Sequence, residues 1–286
     1  MLRSIYNGWF AKNYKLRYKR QKRAPVGKII AVTNQKGGVG KTTSSINIAA
    51  SLAATKRNVL LVDLDPQGNA TSGCGLEKDE IEHHILDVLL QEKNVRECLV
   101  NVEQSGFHIL PTNSDLAVAE AHLLSVEDKE KRLKSALDEI KDDFDYIFID
   151  CPPSLSILTV NALVAADSVM IPMQCEYYAL EGLKALLQTV EQITEYANPH
   201  LHIEGLLRTM YDPRNRLAVE VSNQLHEHFG DKVYRTAIPR NVRLAEAPSY
   251  GMPALMYDRL SRGSKAYLAL AGEMIRRQEE MDAAVA

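Results

Sequence analysis

QKGGVGKTT, residues 35–43, lies between a β-branched apolar run, IIAVTN (29–34), and a helical stretch, TTSSINIAASLAATK (42–56). Strand, glycine loop and helix together make a phosphate cradle. Glycines let backbone N–H groups turn inward, and the helix N-terminus adds its dipole. The stretch departs from the common phosphate loop, G-x-x-x-x-G-K-[ST], which has a glycine five residues before the second one. Here that position is Gln35, and Lys36 follows it. The loop therefore carries two lysines where one suffices. The pattern predicts the backbone of Gly37, Gly38, Val39 and Gly40 around the phosphates. It puts Lys41 on the β and γ oxygens, the Thr42 hydroxyl on Mg²⁺, and Thr43 by the α-phosphate of a nucleotide.

Outward from this loop the same alternation continues. NVLLVDLD (58–65), FHIL (107–110), DYIFIDCPP (145–153), SVMIPM (168–173) and LHIEGLLRTM (201–210) read as strands. Helices are expected over 42–56, 128–144, 179–197, 217–229 and about 264–280. Apolar strands without polar alternation are buried on both faces. The fold class is α/β: a mostly parallel sheet with helices on both faces, of the P-loop NTPase type. No repeat or internal linker interrupts residues 26–286, which read as one domain. In such sheets ligands bind beyond the carboxyl ends of strands, where Gly37–Lys41, Asp63, Asp65 and Asp150 all fall.

Asp150 ends a hydrophobic strand as a Walker B acid does, and is expected to hold Mg²⁺ through water. Asp63 and Asp65 have period-2 spacing and point to the same side of a strand's end. One can support the metal while the other orients the attacking water.

The chain has 286 residues, with 45% hydrophobic and 25% charged, ordinary values for a globular protein. The apolar stretch 157–173 is broken by Asn161 and Asp167, short of the roughly 18 uninterrupted residues of a membrane span. Cys74, Cys98, Cys151 and Cys175 lie far apart and read as free thiols of a reduced, cytosolic protein. The eight histidines show no ligand spacing, and Glu176, Tyr177 and Tyr178 receive no catalytic role. Net charge is −3, but residues 1–25 carry +8 and residues 205–265 carry +4, leaving −15 on the rest. Basic segments on an acidic body fit a polyanionic partner. Three readings of residues 1–25 stand open: a basic arm touching DNA or anionic lipid, a targeting segment, or a stretch preceding a translation start near Val26.

KGGVGKTT (36–43), LVDLDPQGNATSG (61–73), DYIFIDCPPSL (145–155), IPMQCEYYALEGL (171–183) and IPRNVRLAEAPSYG (238–251) together resemble the ParA/MinD class of deviant Walker ATPases. The likeness is strongest to the small chromosomal ParA (Soj) proteins and runs from about Val26 to about Ala271. It implies that Lys36 crosses a dimer interface and contacts the phosphates held by the other subunit, much as an arginine finger acts. It implies a water-orienting role for Asp65, with Asp63 behind it or on its metal side. It implies adenine contacts from Met210–Arg214 and Ile238–Asn241, with Met210, Pro239 and Asn241 singled out. Sequence-independent duplex DNA contacts would come from Arg214 and Arg243, with Arg216, Arg240 and Lys265 as further candidates. The implied protein is a cytoplasmic, nucleoid-associated ATPase that dimerises on ATP, binds DNA nonspecifically and is released after hydrolysis stimulated by a ParB-type partner. The alternative is a MinD-like membrane-cycling ATPase, which needs a basic amphipathic C-terminal helix. The end here, GEMIRRQEEMDAAVA (272–286), is acidic and alanine-rich instead.

Overall fold

The computed structural model describes residues 27–177 and 179–285. The basic tail, residues 1–25, and Tyr178 lie outside the described residues. Seven strands, β1 (Lys28–Val32), β2 (Val59–Asp63), β3 (Val100–Val102), β4 (Phe107–Leu110), β5 (Tyr146–Asp150), β6 (Ser168–Gln174) and β7 (His202–Thr209), form one sheet. Their order is β3-β4-β2-β5-β1-β6-β7. Every neighbouring pair is parallel except β3–β4 at the edge. The helices are α1 (Lys41–Ala53), α2 (Asn69–Gly73), α3 (Ile85–Leu89), α4 (Leu116–Leu123), α5 (Arg132–Asp138), α6 (Ile157–Ala165), α7 (Ala179–Tyr196), α8 (Arg216–Phe229), α9 (Val242–Glu246), α10 (Ala254–Tyr257) and α11 (Arg262–Val285).

Successive strand residues feed opposite layers, as the pleat requires. Ile30 and Val32 of β1 and Phe148 of β5 pack with Ile46 and Ile48 of α1 and Tyr267, Leu270 and Met274 of α11. Ile29 and Ala31 of β1 and Ile147 and Ile149 of β5 pack with residues of α5, α6, α7 and α8, among them Leu137, Leu158, Leu186 and Leu225. The sheet is thus covered on both faces. β1 sits between β5 and β6, so the loop after β1 emerges where the chain departs to either side of the sheet, the place such folds use for ligands.

Among the features that differ from the sequence reading, two have identifiable reasons in the packing. The helix expected over 128–144 is α-helical only over α5, with 3₁₀ turns at Lys129–Lys131 and Lys141–Asp143. Asn161 of α6 explains its start: its Oδ1 accepts from the Leu133 N–H at 3.1 Å and its Nδ2 donates to the Lys129 carbonyl at 2.7 Å. A buried side chain thus supplies what another helical turn would have supplied. The second feature, α6 itself, is buried along Leu158–Ala165 save for Val160. A helix buried nearly all round carries no 3.6-residue stripe to read.

Gly75 has φ +84°, and a Cβ there would lie 2.7 Å from the Gly251 carbonyl oxygen. Gly251, at φ +62°, would strike Gly75 in return. The pair locks the segment after α2 to the segment before α10. We expect Gly75→Ala to destabilise the fold by about 2–4 kcal/mol, from left-handed strain and overpacking together. Gly272→Ala, inside α11 with nothing within 4 Å of the added carbon, is expected to be neutral or to stabilise by up to about 1 kcal/mol. Denaturant unfolding of the two variants checks the contrast, and equal effects would contradict it.

Candidate nucleotide site

The glycine loop is held from three sides. Asn34 donates from Nδ2 to the Pro172 carbonyl of β6 at 2.8 Å, and its Oδ1 accepts from the Lys36 N–H at 3.0 Å. Thr209, ending β7, donates from Oγ1 to the Val39 carbonyl at 2.7 Å. Gln174, ending β6, donates from Nε2 to the Gly38 carbonyl at 3.4 Å. Gly40, at φ +87°, caps α1 in the left-handed region, which only glycine enters freely. A Cβ built on Gly37 or Gly38 would meet nothing within 4 Å, so one side of the loop is open. Lys41 opens α1, is 6% exposed, and donates from Nζ to the Lys36 carbonyl at 3.2 Å. Burial lowers its pKa, and the nearby Asp150 carboxylate opposes that shift. Thr42 and Thr43 follow on the first turn of α1.

Asp63 and Asp150 are register partners at the ends of β2 and β5, and both are fully buried. Asp150 accepts from Ser45 Oγ at 2.9 Å through Oδ1, and the Thr42 hydroxyl also bonds to it. Its Oδ2 is buried with no partner among the described residues. Burial, and next the charge of Asp63, push the Asp150 carboxyl up to about 8. Asp63 is better satisfied: Oδ2 accepts from both the N–H and Oγ1 of Thr71 at 2.7 Å, and Oδ1 accepts from the Asp65 N–H at 3.3 Å. Burial still raises it to about 6. Asp65 lies two residues past β2, is 7% exposed, and spends Oδ1 on the Gln67 N–H at 3.0 Å. Its Oδ2 has no hydrogen bond among the described residues. Asp63 therefore links α2 to the Asp65 backbone, an arrangement that spacing alone does not reveal.

This donor set fits Mg²⁺ brought in by a nucleotide. No three His, Cys, Asp or Glu residues converge as a metal cage among the described residues. Mg²⁺ needs no such cage, since it keeps several waters and takes one or two protein ligands together with phosphates. The unpartnered Asp150 oxygen and the Thr42 hydroxyl beside it are ligands of that kind.

The segments expected around adenine do come together. The Tyr211 N–H donates to the Ile238 carbonyl at 2.9 Å, and Tyr211 bridges Pro239. Met210 sits at φ +49°, a strained position for a side-chain-bearing residue, and its sulfur accepts from Gln174 Nε2. Asn241 Oδ1 is buried without a partner among the described residues and can accept from an amino group. Three of the expected DNA residues, Arg214, Arg243 and Arg216, are engaged with carboxylates. Arg214, 89% exposed at its side chain, grips Asp212 at 2.7 and 2.9 Å and holds that carboxyl down to about 2. Arg243 pairs with Glu246 at 2.7 Å and Asp258 at 3.3 Å, over the Tyr257 ring. Arg216 pairs with Glu220. Arg240 and Lys265 are exposed and carry no ion pair among the described residues.

Several participants escaped the sequence reading. Ser45 and Lys41 are one turn apart on α1, a spacing that could have flagged Ser45. Gln174 and Thr209 could not have been found without the sheet order, which alone brings them to the loop, and Thr71 enters through the turn after β2 that carries it back to Asp63. Glu176, given no role above, pairs through Oε2 with Lys36 Nζ.

A family model described as an AAA domain matches residues 27–203. The chain is 53% identical over 249 residues to the sporulation initiation inhibitor protein Soj of Bacillus subtilis, covering 87% of this chain and 98% of that one. It is 49% identical over 254 residues to the chromosome partitioning protein ParA of Myxococcus xanthus, covering 89% and 90%. Among solved structures, a Mycobacterium smegmatis protein titled cobyrinic acid a,c-diamide synthase, with bound ATP analog and magnesium, superposes with a TM-score of 0.78 at 38% identity, covering 89% of this chain and 96% of that one. That title names a synthase, but several relatives of higher identity carry the Soj and ParA names. The chain belongs to the ParA/Soj family of chromosome-partitioning ATPases.

Proposed function

We propose that this ATPase works as a nucleotide-switched dimer that holds duplex DNA in its ATP state and lets go after hydrolysis. The observation that carries the reading is the imbalance at the loop: three buried carboxylates, Asp63, Asp65 and Asp150, against one buried ammonium, Lys41. Such a site favours a bound cation. The chemistry Mg²⁺ would supply here, arriving with ATP, is neutralisation of phosphate charge. Asp150 and Thr42 would hold the ion. The loop amides and Lys41 would hold the phosphates, and Asp65 would orient the attacking water through its free oxygen. Asp63 would fix Asp65 by its backbone and tie it to α2. Met210, Pro239 and Asn241 would receive the adenine, Asn241 accepting from its amino group.

Two nucleotides facing each other across a two-fold axis crowd their phosphates. Lys36, supplied from the opposite subunit, would offset that charge, so dimerisation would depend on the γ-phosphate. Duplex DNA would then be held by basic groups from both subunits, Arg214 and Arg243 foremost. A ParB-type protein would stimulate hydrolysis and end the bound state. Phosphate-directed contacts of this kind carry no sequence information. A membrane-cycling role of the MinD type is disfavoured by α11, whose Tyr267, Leu270, Ala271, Met274 and Ile275 are buried in the core and cannot also face lipid.

Asp65→Ala is expected to lower ATP hydrolysis about 10²-fold or more while leaving ATP binding and ATP-dependent dimerisation in place. Phosphate release and sedimentation check this, and loss of nucleotide binding would contradict the role.

Asp150→Asn removes a carboxyl whose folded pKa is raised from 3.8 to about 8. A raised acid stabilises the folded state below its unfolded pKa, and that contribution disappears as pH climbs through the folded value. The unfolding temperature of the nucleotide-free variant should therefore gain on wild type as pH rises from about 4 to about 8. The variant should also lose the Mg²⁺-dependent stabilisation by ATP. A pH-independent difference would contradict the account.

Arg243→Glu is expected to weaken ATP-state binding to random duplex DNA and to flatten its salt dependence. The slope of log K against log salt should fall by about 0.9 per phosphate that the arginine neutralises, and so by about 1.8 for a dimer with one such arginine in each subunit. Anisotropy titrations at several salt concentrations measure it.

A further inference from the structure

The lysine expected to cross to the other subunit is already occupied. Lys36 Nζ pairs with Glu176 Oε2 of its own chain, and both side chains are about half exposed, 45% and 50%. The contact joins the glycine loop to the short link between β6 and α7. It is one of a row: Asn34 reaches the Pro172 carbonyl, Gln174 reaches the Gly38 carbonyl, and Glu176 takes the Lys36 ammonium. The Lys36 backbone is turned the other way, its N–H on Asn34 and its carbonyl receiving Lys41 Nζ. The main chain of Lys36 thus belongs to the phosphate site while its charge is committed to Glu176.

We propose that Glu176 is a positioning residue that holds Lys36 in the single subunit and must release it when two ATP-bound subunits meet. This inference rests on the reading that Lys36 acts across a dimer interface. The strengths are suited to such a hand-over. A half-exposed lysine–carboxylate pair is weak, typically 0.2–1 kcal/mol by double-mutant cycles. A triphosphate is a far stronger partner for an ammonium than a single carboxylate. Glu176 therefore opposes dimerisation mildly, raising the ATP occupancy needed for it without blocking it. It also gives the freed lysine a resting place after the γ-phosphate is lost, which favours separation. Because a symmetric dimer breaks two such pairs, the effect enters the dimerisation constant twice.

The test is sedimentation of the full chain with Mg²⁺ and a slowly hydrolysed ATP analogue, for wild type, Glu176→Gln, Glu176→Asp, Lys36→Gln and the double variant Lys36→Gln/Glu176→Gln. Glu176→Gln should tighten the dimer about 2- to 30-fold. Glu176→Asp, which keeps the charge, should stay nearer wild type. The gain should shrink at high salt, where the wild-type pair is already screened. On the Lys36→Gln background, replacing Glu176 should change nothing. A weaker or unchanged Glu176→Gln dimer, or an equal effect with Lys36 absent, overturns the proposal while the dimer reading stands. A wild type that stays monomeric with the analogue, while binding it, overturns the dimer reading and this inference with it. Melting curves of the nucleotide-free variants identify any that fail to fold, and Glu176→Asp then serves as the second probe through its own shift against wild type.

Discussion

Three buried carboxylates gather at or just past the carboxyl ends of β2 and β5, and the one buried ammonium beside them, Lys41, opens α1; the candidate site is arranged around that imbalance. Without a bound cation, Asp150 is driven towards its protonated form and leaves one oxygen unpartnered. Isolated charges in a low-dielectric interior are expensive. The fold sustains this cluster because the sheet supporting it is apolar on both faces, with Ile147 and Ile149 in one layer and Phe148 in the other. Stability resides in those layers. The polar ends of the strands are left free to be strained, and they await a ligand.

The same logic links the site to assembly. The loop backbone, Lys41 and Thr42 converge on one place, while Lys36 leaves it and pairs with Glu176. On the proposed reading, a lysine on the loop but aimed away from it would serve phosphates held by another subunit. The extra charge in QKGGVGKTT would then have a different task from Lys41. Arg214 and Arg243 show a related economy. Each is engaged with carboxylates, Asp212 for one and Glu246 and Asp258 for the other, so on the proposed reading DNA phosphates would compete with partners already present. Weak exposed pairs permit such exchange at little cost.

Much of this was legible in the sequence because the signals are local. The strand–loop–helix around Gly40, the apolar runs ending at Asp63 and Asp150, and the amphipathic α7 and α8 depend on near neighbours along the chain. What escaped was set by distant ones. The start of α5 is fixed by Asn161, 28 residues further on. α6 is buried nearly all round and gives no periodicity. The edge strand β3 is three residues long, too short for a pattern. Thr209, Gln174 and Glu176 reach the glycine loop only because β6 and β7 lie on the same side of β1. Asp63 and Asp65 were legible as a pair, but their division of labour was not, since it rests on Thr71 of α2.

The most direct test of the account mixes two inactive variants, Lys36→Ala and Asp65→Ala, and measures ATP hydrolysis. If Lys36 serves the opposite subunit and Asp65 its own, the mixed dimer contains one complete site in the Lys36→Ala subunit. A one-to-one mixture should then recover about one quarter of wild-type activity, from random pairing of subunits in a two-fold dimer. If both residues serve their own nucleotide, every site in every dimer lacks one of them. A mixture no more active than its separate components would contradict the claim that the second lysine of the loop acts across the interface.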